Sequence, residues 1–177
     1  MKYGTLEETP CIQSAEELQV AIELLAEMPA RVEALLAGLD QVQLRYKPKP
    51  EVFSMVENLL HLRDIEIEGY SKRLRRILAE DTPALPDIDG TRLAIERHYY
   101  EQPVAPALAE FSAARRENVA LLRTVTLADL ARKAELEKVG RITLAQLVQM
   151  WREHDAGHRA ELRRELEAQG GWTGSQS

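Results

Sequence analysis

The chain has 177 residues, a net charge of −6, 45% hydrophobic residues and 29% charged ones, the composition of an ordinary globular protein rather than a disordered one. A domain of this length buries roughly 70% of the surface its unfolded chain exposes, so it needs neither a disulfide nor a structural metal, and any metal is expected to be functional. Only 5% of the residues are aromatic and Lys and Arg are scattered, which argues against a nucleic-acid groove with its basic stripe and stacking rings. The single Cys11 excludes an internal disulfide, no apolar run is long enough for a membrane span, and the opening MKYGTLEETP lacks the apolar stretch of a signal peptide. A cytoplasmic setting is expected.

Leu, Ala, Glu and Arg dominate and apolar residues recur at helical spacing, so the reading is all-α. The first helix opens at Ser14, with Glu17 completing a capping box, and carries Leu18, Ile22, Leu25, Val32, Leu35, Leu36 and Leu39. Pro29 is expected to kink or restart it. Residues 41–50, with Pro48 and Pro50, read as a non-helical extended crossover. A second capping box at Ser54 and Glu57 starts a helix running to about Ala79, broken by the loop EDTPALPDID. A short helical piece from Thr91 to Tyr100 leads to Pro103. A third long helix then carries Leu108, Phe111, Leu121, Leu122 and Val125. Residues 126–143 are the least regular, with one extra turn at Thr126 and Asp129 and a bend at Gly140. The last helix opens at Thr143 with Gln146, continues through Leu166, and is stopped by Gly170 and Gly171. These elements predict a four-helix bundle with a long first crossover and short extra helical pieces, one domain over residues 1–169, and a frayed tail over 170–177.

Chemistry centres on the histidines. His154 and His158 stand at i and i+4 in the last helix, on the edge of the stripe formed by Leu144, Leu147, Val148, Met150, Trp151, Leu162 and Leu166. Such a pair can bind one divalent ion from a single helix, or be two edge histidines with no ligand; no Glu follows the first His, so the zinc-protease motif is absent. His61 is the candidate third ligand. It is grouped with Glu57, Asn58, Asp64 and Glu68, opposite Val56, Leu59, Leu60, Ile67, Tyr70 and Leu74, a solvated face unless that side lines a cleft. His98, in IERHYY, has no partner at ligand spacing and reads as a surface residue or a support to the site. Glu57, Asp64 and Glu161 are candidates to orient ligands or move protons, against the ordinary reading of helix-face charges.

The stretches FSMVENLLHLRDIE around His61 and GRITLAQLVQMWREHDAGHRAEL around His154 and His158 resemble the two signature stretches of the DinB-like (YfiT-like) superfamily. The resemblance extends over most of the chain and is weakest from Pro83 to Tyr100; Phe53 stands where relatives often carry Trp, a change expected to alter packing more than metal binding. It implies a four-helix bundle in which His61, His154 and His158 bind a divalent metal (Zn, Ni, Mn or Fe), and a homodimer. It further implies a thiol-dependent S-transferase using a low-molecular-weight thiol, or a hydrolase, acting on a small-molecule substrate. Three imidazoles leave coordination positions open, as in catalytic metal sites; Cys11 need take no part, and Arg115 or Arg116 is either a clamp for a carboxylate or a snorkelling surface residue. The alternative is a non-catalytic, metal-binding, stress-associated dimer.

Overall fold

The computed structural model describes residues 12–170, so that Cys11 and the tail beyond Gly170 lie outside the described residues. Four long helical rods form the bundle: α1 (Ala15–Leu36), the rod made of α3 (Met55–Asp64), a π-helical turn (Ile65–Tyr70) and α4 (Ser71–Ala79), then α6 (Val104–Leu122) and α7 (Leu144–Ala168). Helix α1 packs on α6 and α7, and α3 packs on the same two. The capping boxes at Ser14, Ser54 and Thr143 are all formed, so the local sequence sets these starts.

Several expectations are corrected. The crossover is not wholly extended, because Asp40 and Gln43 make a capping box that starts a five-residue helix, α2 (Gln41–Arg45); Pro48 and Pro50 act only on the residues that follow it. Helix α1 runs unbroken through Pro29 and ends at Leu36, before Leu39, with Gly38 two residues on at φ +78°, a conformation glycine adopts without strain. Proline has no N–H to give the carbonyl four residues back, and that carbonyl, Leu25 O, instead accepts from Arg115 Nη1 at 2.7 Å. Val125 falls beyond the end of α6 and packs against the core from the following loop.

The irregular segment holds the clearest addition to the bundle. Strands β2 (Lys133–Leu136) and β3 (Gly140–Thr143) form an antiparallel hairpin, and β1 (Ala84–Leu85), inside the EDTPALPDID loop, pairs parallel to β2. Leu85, Ala134, Leu136 and Ile142 turn into the core. The expected short helical piece is α5 (Gly90–Glu96), followed by a 3-10 turn at Tyr99–Glu101.

The π-turn explains why Ile67 is exposed although its spacing put it with Leu60 and Tyr70: the wider i→i+5 turn absorbs about one residue, and Ile65 and Glu66 face inward in its place. The apolar core is thereby divided. One cluster contains Leu25, Tyr70, Leu74, Val119 and Trp151, the other Met28, Leu59, Leu60, Phe111 and Leu162. Between them along the rods lies a polar layer in which Arg115, 1% exposed, bonds both oxygens of Glu66 (2.9 and 2.7 Å) and both of Asp155 (2.6 and 3.2 Å). Glu66 also accepts from Asn118 Nδ2 and Trp151 Nε1. Arg115 therefore clamps carboxylates of its own chain in the bundle centre, and Arg116 is exposed.

Candidate metal centre

The two helices that carry the candidate ligands are both started by capping boxes, which fixes their phase, and they bring His61 on α3 against His154 and His158 on α7. One ligand atom from each imidazole lies within 4.8 Å of those of the other two, with His61 Nε2 and His154 Nε2 3.3 Å apart. Ring centroids are separated by 5.4 Å for His61 and His154, 4.6 Å for His61 and His158, and 4.5 Å for His154 and His158. Both α7 histidines are buried and His61 is half-buried, on the wall of a cavity of about 630 Å³. The polar side of α3 thus lines a cleft.

Hydrogen bonding sets the state of the rings. His158 Nδ1 is 2.8 Å from Asn58 Oδ1 and 2.9 Å from Glu161 Oε2; both are acceptors, so Nδ1 carries the hydrogen and Nε2 holds the lone pair. That Nε2 is buried without a partner among the described residues, as are His61 Nδ1 and His154 Nδ1. Asp155 Oδ1 is 3.7 Å from His154 Nδ1, too far for a hydrogen bond. Burial, and then the neighbouring His158 and His154, push His61 far below the usual imidazole range; burial also lowers His154, against the pull of Asp155. Neutral imidazoles keep the lone pairs a metal needs.

Three further residues support the ligands. Asn58 Nδ2 donates to Glu165 Oε1 at 2.9 Å, which turns Asn58 Oδ1 toward His158. Glu165 is 3% exposed, its Oε2 is buried without a partner among the described residues, and burial, followed by Glu161 and Glu57, pushes its carboxyl up to about 8. Residues 154, 158, 161 and 165 follow i, i+4, i+7 and i+11 spacing, a signal present in the sequence but unused beyond Glu161. Gly90 stands where a β-carbon would lie 2.3 Å from His61 Cε1 and 2.5 Å from Nδ1, closer than real contacts permit. A glycine at the start of α5, after its cap Asp89, therefore gives the ring its seat, although in sequence Asp89-Gly90 reads only as a turn.

The other candidates lie elsewhere. Glu57 closes the α3 capping box and pairs with Lys47 at 2.9 Å, and Asp64 holds Arg63, Arg97 and the Tyr99 hydroxyl; neither lines the cavity, whereas Glu161 does. His98 is exposed and outside it. Phe53 does line the cavity, its ring 5.7 Å from that of His61.

A four-rod bundle with a crossover between its first two rods and a histidine triad on a cavity wall defines a class, and comparison with known proteins agrees with it. The model of the DinB superfamily matches residues 24–162, and the chain belongs to that superfamily. It is 22% identical over 151 residues, 85% of this chain and 87% of the other, to a protein of Halalkalibacterium halodurans named "Putative metal-dependent hydrolase". A Bacillus pumilus protein of the same name is 28% identical over 127 residues, 72% of this chain and 69% of the relative. The fold matches YfiT from Bacillus subtilis, described as "a probable metal-dependent hydrolase with an unusual four-helix bundle topology", with a TM-score of 0.83 and 22% identity over 92% of this chain and 91% of that one. No described helix is long and apolar enough to cross a membrane.

Proposed function

We propose that this chain is a divalent-metal-dependent enzyme acting on a small molecule, with His61, His154 and His158 as the metal ligands. The observation that carries the reading is the convergence of three ring nitrogens within 4.8 Å on a cavity wall, with His158 Nε2 buried and without a partner among the described residues. Imidazole donors suit zinc, nickel or iron better than manganese, and three protein ligands are the number found in catalytic sites rather than closed structural ones. A bound divalent ion supplies a lowered pKa to water or a thiol and polarises a carbonyl.

The chain's own residues do the rest. Asn58 and Glu161 hold the proton on His158 Nδ1, fixing the face that the ring presents. Gly90 lets α5 close against His61, and Phe53 walls the cavity beside it. Glu165, whose carboxyl is raised to about 8 by burial in the metal-free chain, holds Asn58 in place in the cavity wall. Hydrolysis is favoured by the names of the relatives; thiol S-transfer, with a low-molecular-weight thiol as the nucleophile, follows from the family resemblance and fits the same donor set. A homodimer and a cytoplasmic setting belong to the same proposal, and light scattering tests the dimer.

Elemental analysis of the purified protein should find about one divalent ion per chain, lost in His154→Ala. A screen of simple esters and amides, and of low-molecular-weight thiols against electrophiles, should then show turnover that chelation abolishes. Metal without any turnover would leave the non-catalytic stress-associated protein as the account, and no metal at all would end the proposal.

A further inference from the structure

The cavity that holds the histidines also holds a cation with little to satisfy it. Arg73, on α4, lines the cavity and is only 5% exposed. Its one hydrogen bond among the described residues is from Nη2 to the carbonyl of Pro86 at 2.9 Å, and its Nε is buried without a partner. No carboxylate is ion-paired with it among the described residues, and a guanidinium has five N–H donors in a fork suited to a carboxylate or phosphate. Burying a charge without a counter-charge is costly, so the arrangement is incomplete without an anion.

The neighbouring charges do not complete it. Asp87, the acid whose field reaches Arg73, is held by Lys138 Nζ at 2.8 Å from the tip of the β2–β3 hairpin. Asp89 caps α5, Glu161 sits on His158, and Glu165 holds Asn58. Glu51 and Arg164 are exposed. Arg73 is therefore the buried cation of the cavity with no acidic partner among the described residues.

We propose that Arg73 forms an anion subsite in this cavity, and that the substrate is a small molecule with a carboxylate or phosphate group at one end and its reacting bond at the three histidines. The proposal rests on the reading of the histidines as the reactive end. His61 and Arg73 lie on one continuous helical rod about 18 Å apart at 1.5 Å per residue, and the long Arg73 side chain reaches back so far that its Nη1 is 4.0 Å from where a Gly69 β-carbon would stand. The anionic group is thus on the order of 10 Å from the histidines, a span that a cavity of about 630 Å³ accommodates.

The test separates the two ends. In metal-free protein, the Arg73 Nε–H resonance is followed by NMR during titration with acetate and, separately, with inorganic phosphate. A saturable shift with one or both supports the subsite and shows which anion it prefers; no saturable shift overturns it. In Arg73→Met and Arg73→Lys, which lack that resonance, binding is read from the backbone amide shifts of the cavity-lining Ile88 and Thr91: Arg73→Met should abolish it and Arg73→Lys should weaken it, whereas in His154→Ala the Arg73 resonance should shift as in the wild type. Circular dichroism checks that each variant is folded, and the wild-type titration stands should Arg73→Met not fold. In zinc-loaded protein, ω-mercaptocarboxylates should bind at least about tenfold more tightly than alkanethiols of equal length, a gain expected of one charge-assisted hydrogen bond and lost in Arg73→Met. Anion binding at Arg73 in a protein that takes up no metal would overturn the metal reading and leave the subsite; metal binding with no anion response would do the reverse.

Discussion

Two buried polar regions share α7 and are separated by a single peptide bond, with His154 in one and Asp155 in the other. In the layer around Arg115, all five guanidinium donors are used and Glu66 accepts on both oxygens. In the cavity, His61 Nδ1, His154 Nδ1, His158 Nε2, Glu165 Oε2 and Arg73 Nε are buried with no partner among the described residues. A buried group left unsatisfied costs about 1–3 kcal/mol, so the first region has the economy of structure and the second that of a binding site. Burial alone does not distinguish them; completeness does.

The largest effect should come from breaking the complete region. Arg115→Leu strands Glu66 and Asp155 without their counter-charge and should cost about 3–5 kcal/mol, read as a lower urea midpoint. An unchanged midpoint would show that the layer does not hold the bundle. In the incomplete region the same kind of change should act on the ligand instead. His154→Ala or His158→Ala should each lower zinc affinity by more than about 100-fold, beyond what loss of an outer support costs, measured by competition with a chromophoric chelator. Removal of metal by chelation should leave the far-ultraviolet dichroism of the wild type unchanged, since neither apolar cluster includes the histidines.

Supports of the ligands should act more weakly. Asn58→Leu removes the acceptor on His158, and Gly90→Ala drives a methyl group into the His61 ring. Each should reduce zinc affinity about 10- to 100-fold, and an undiminished affinity in Gly90→Ala would mean that the His61 ring has another seat.

The pH dependence of metal-free stability sharpens the contrast further. His61 and His154 are lowered by burial, so below about 6.5 the unfolded chain takes up protons that the folded chain refuses. Stability should fall with acid by as much as about 1.4 kcal/mol per pH unit for each group. Glu165 has the opposite sign, being raised to about 8 by burial: the folded chain holds a proton that the unfolded chain releases above its ordinary carboxyl range, so stability drains away as pH rises from that range to 8 and levels off beyond it. Glu165→Gln should remove that loss, and urea titrations at pH 5, 6.5 and 8 would show it. The smallest effect is expected at the exposed Glu27–Arg31 pair of α1, where Arg31→Ala should change stability by no more than about 1 kcal/mol.

The sequence made legible what depends on near neighbours. Capping boxes at Ser14, Ser54 and Thr143 and the spacing of His154 and His158 are local signals, and they located the rods and the α7 half of the centre. The box at Asp40 and Gln43 is equally local, and it starts a helix that ends before Pro48 and Pro50 can act on it. The hairpin was missed because Lys-Ala-Glu-Leu and Gly-Arg-Ile-Thr are short, and only pairing across the turn makes them strands. In sequence Arg115 and Arg116 are equally a clamp for a carboxylate or a surface residue, since Glu66, which decides for Arg115, is 49 positions away and reaches it through an irregular turn. Gly90 owes its role to how α5 meets the rod of His61, and Arg73 owes its role to the irregular turn within that rod, which no periodicity encodes.

The π-turn at Ile65–Tyr70 has one more consequence, and it concerns counting. At 100° per residue, the twelve steps from His61 to Arg73 would leave the two side chains about 120° apart around an uninterrupted α-helix. With about one residue absorbed in the wider turn, the offset shrinks to about 20°, and the two face one cavity. The turn works as a phase corrector between the ends of the site. A deletion of one residue within 65–70 should therefore leave an uninterrupted α-helix whose two halves stay in phase, whereas straightening the turn without a deletion would swing Arg73 about 100° away from the side that His61 faces.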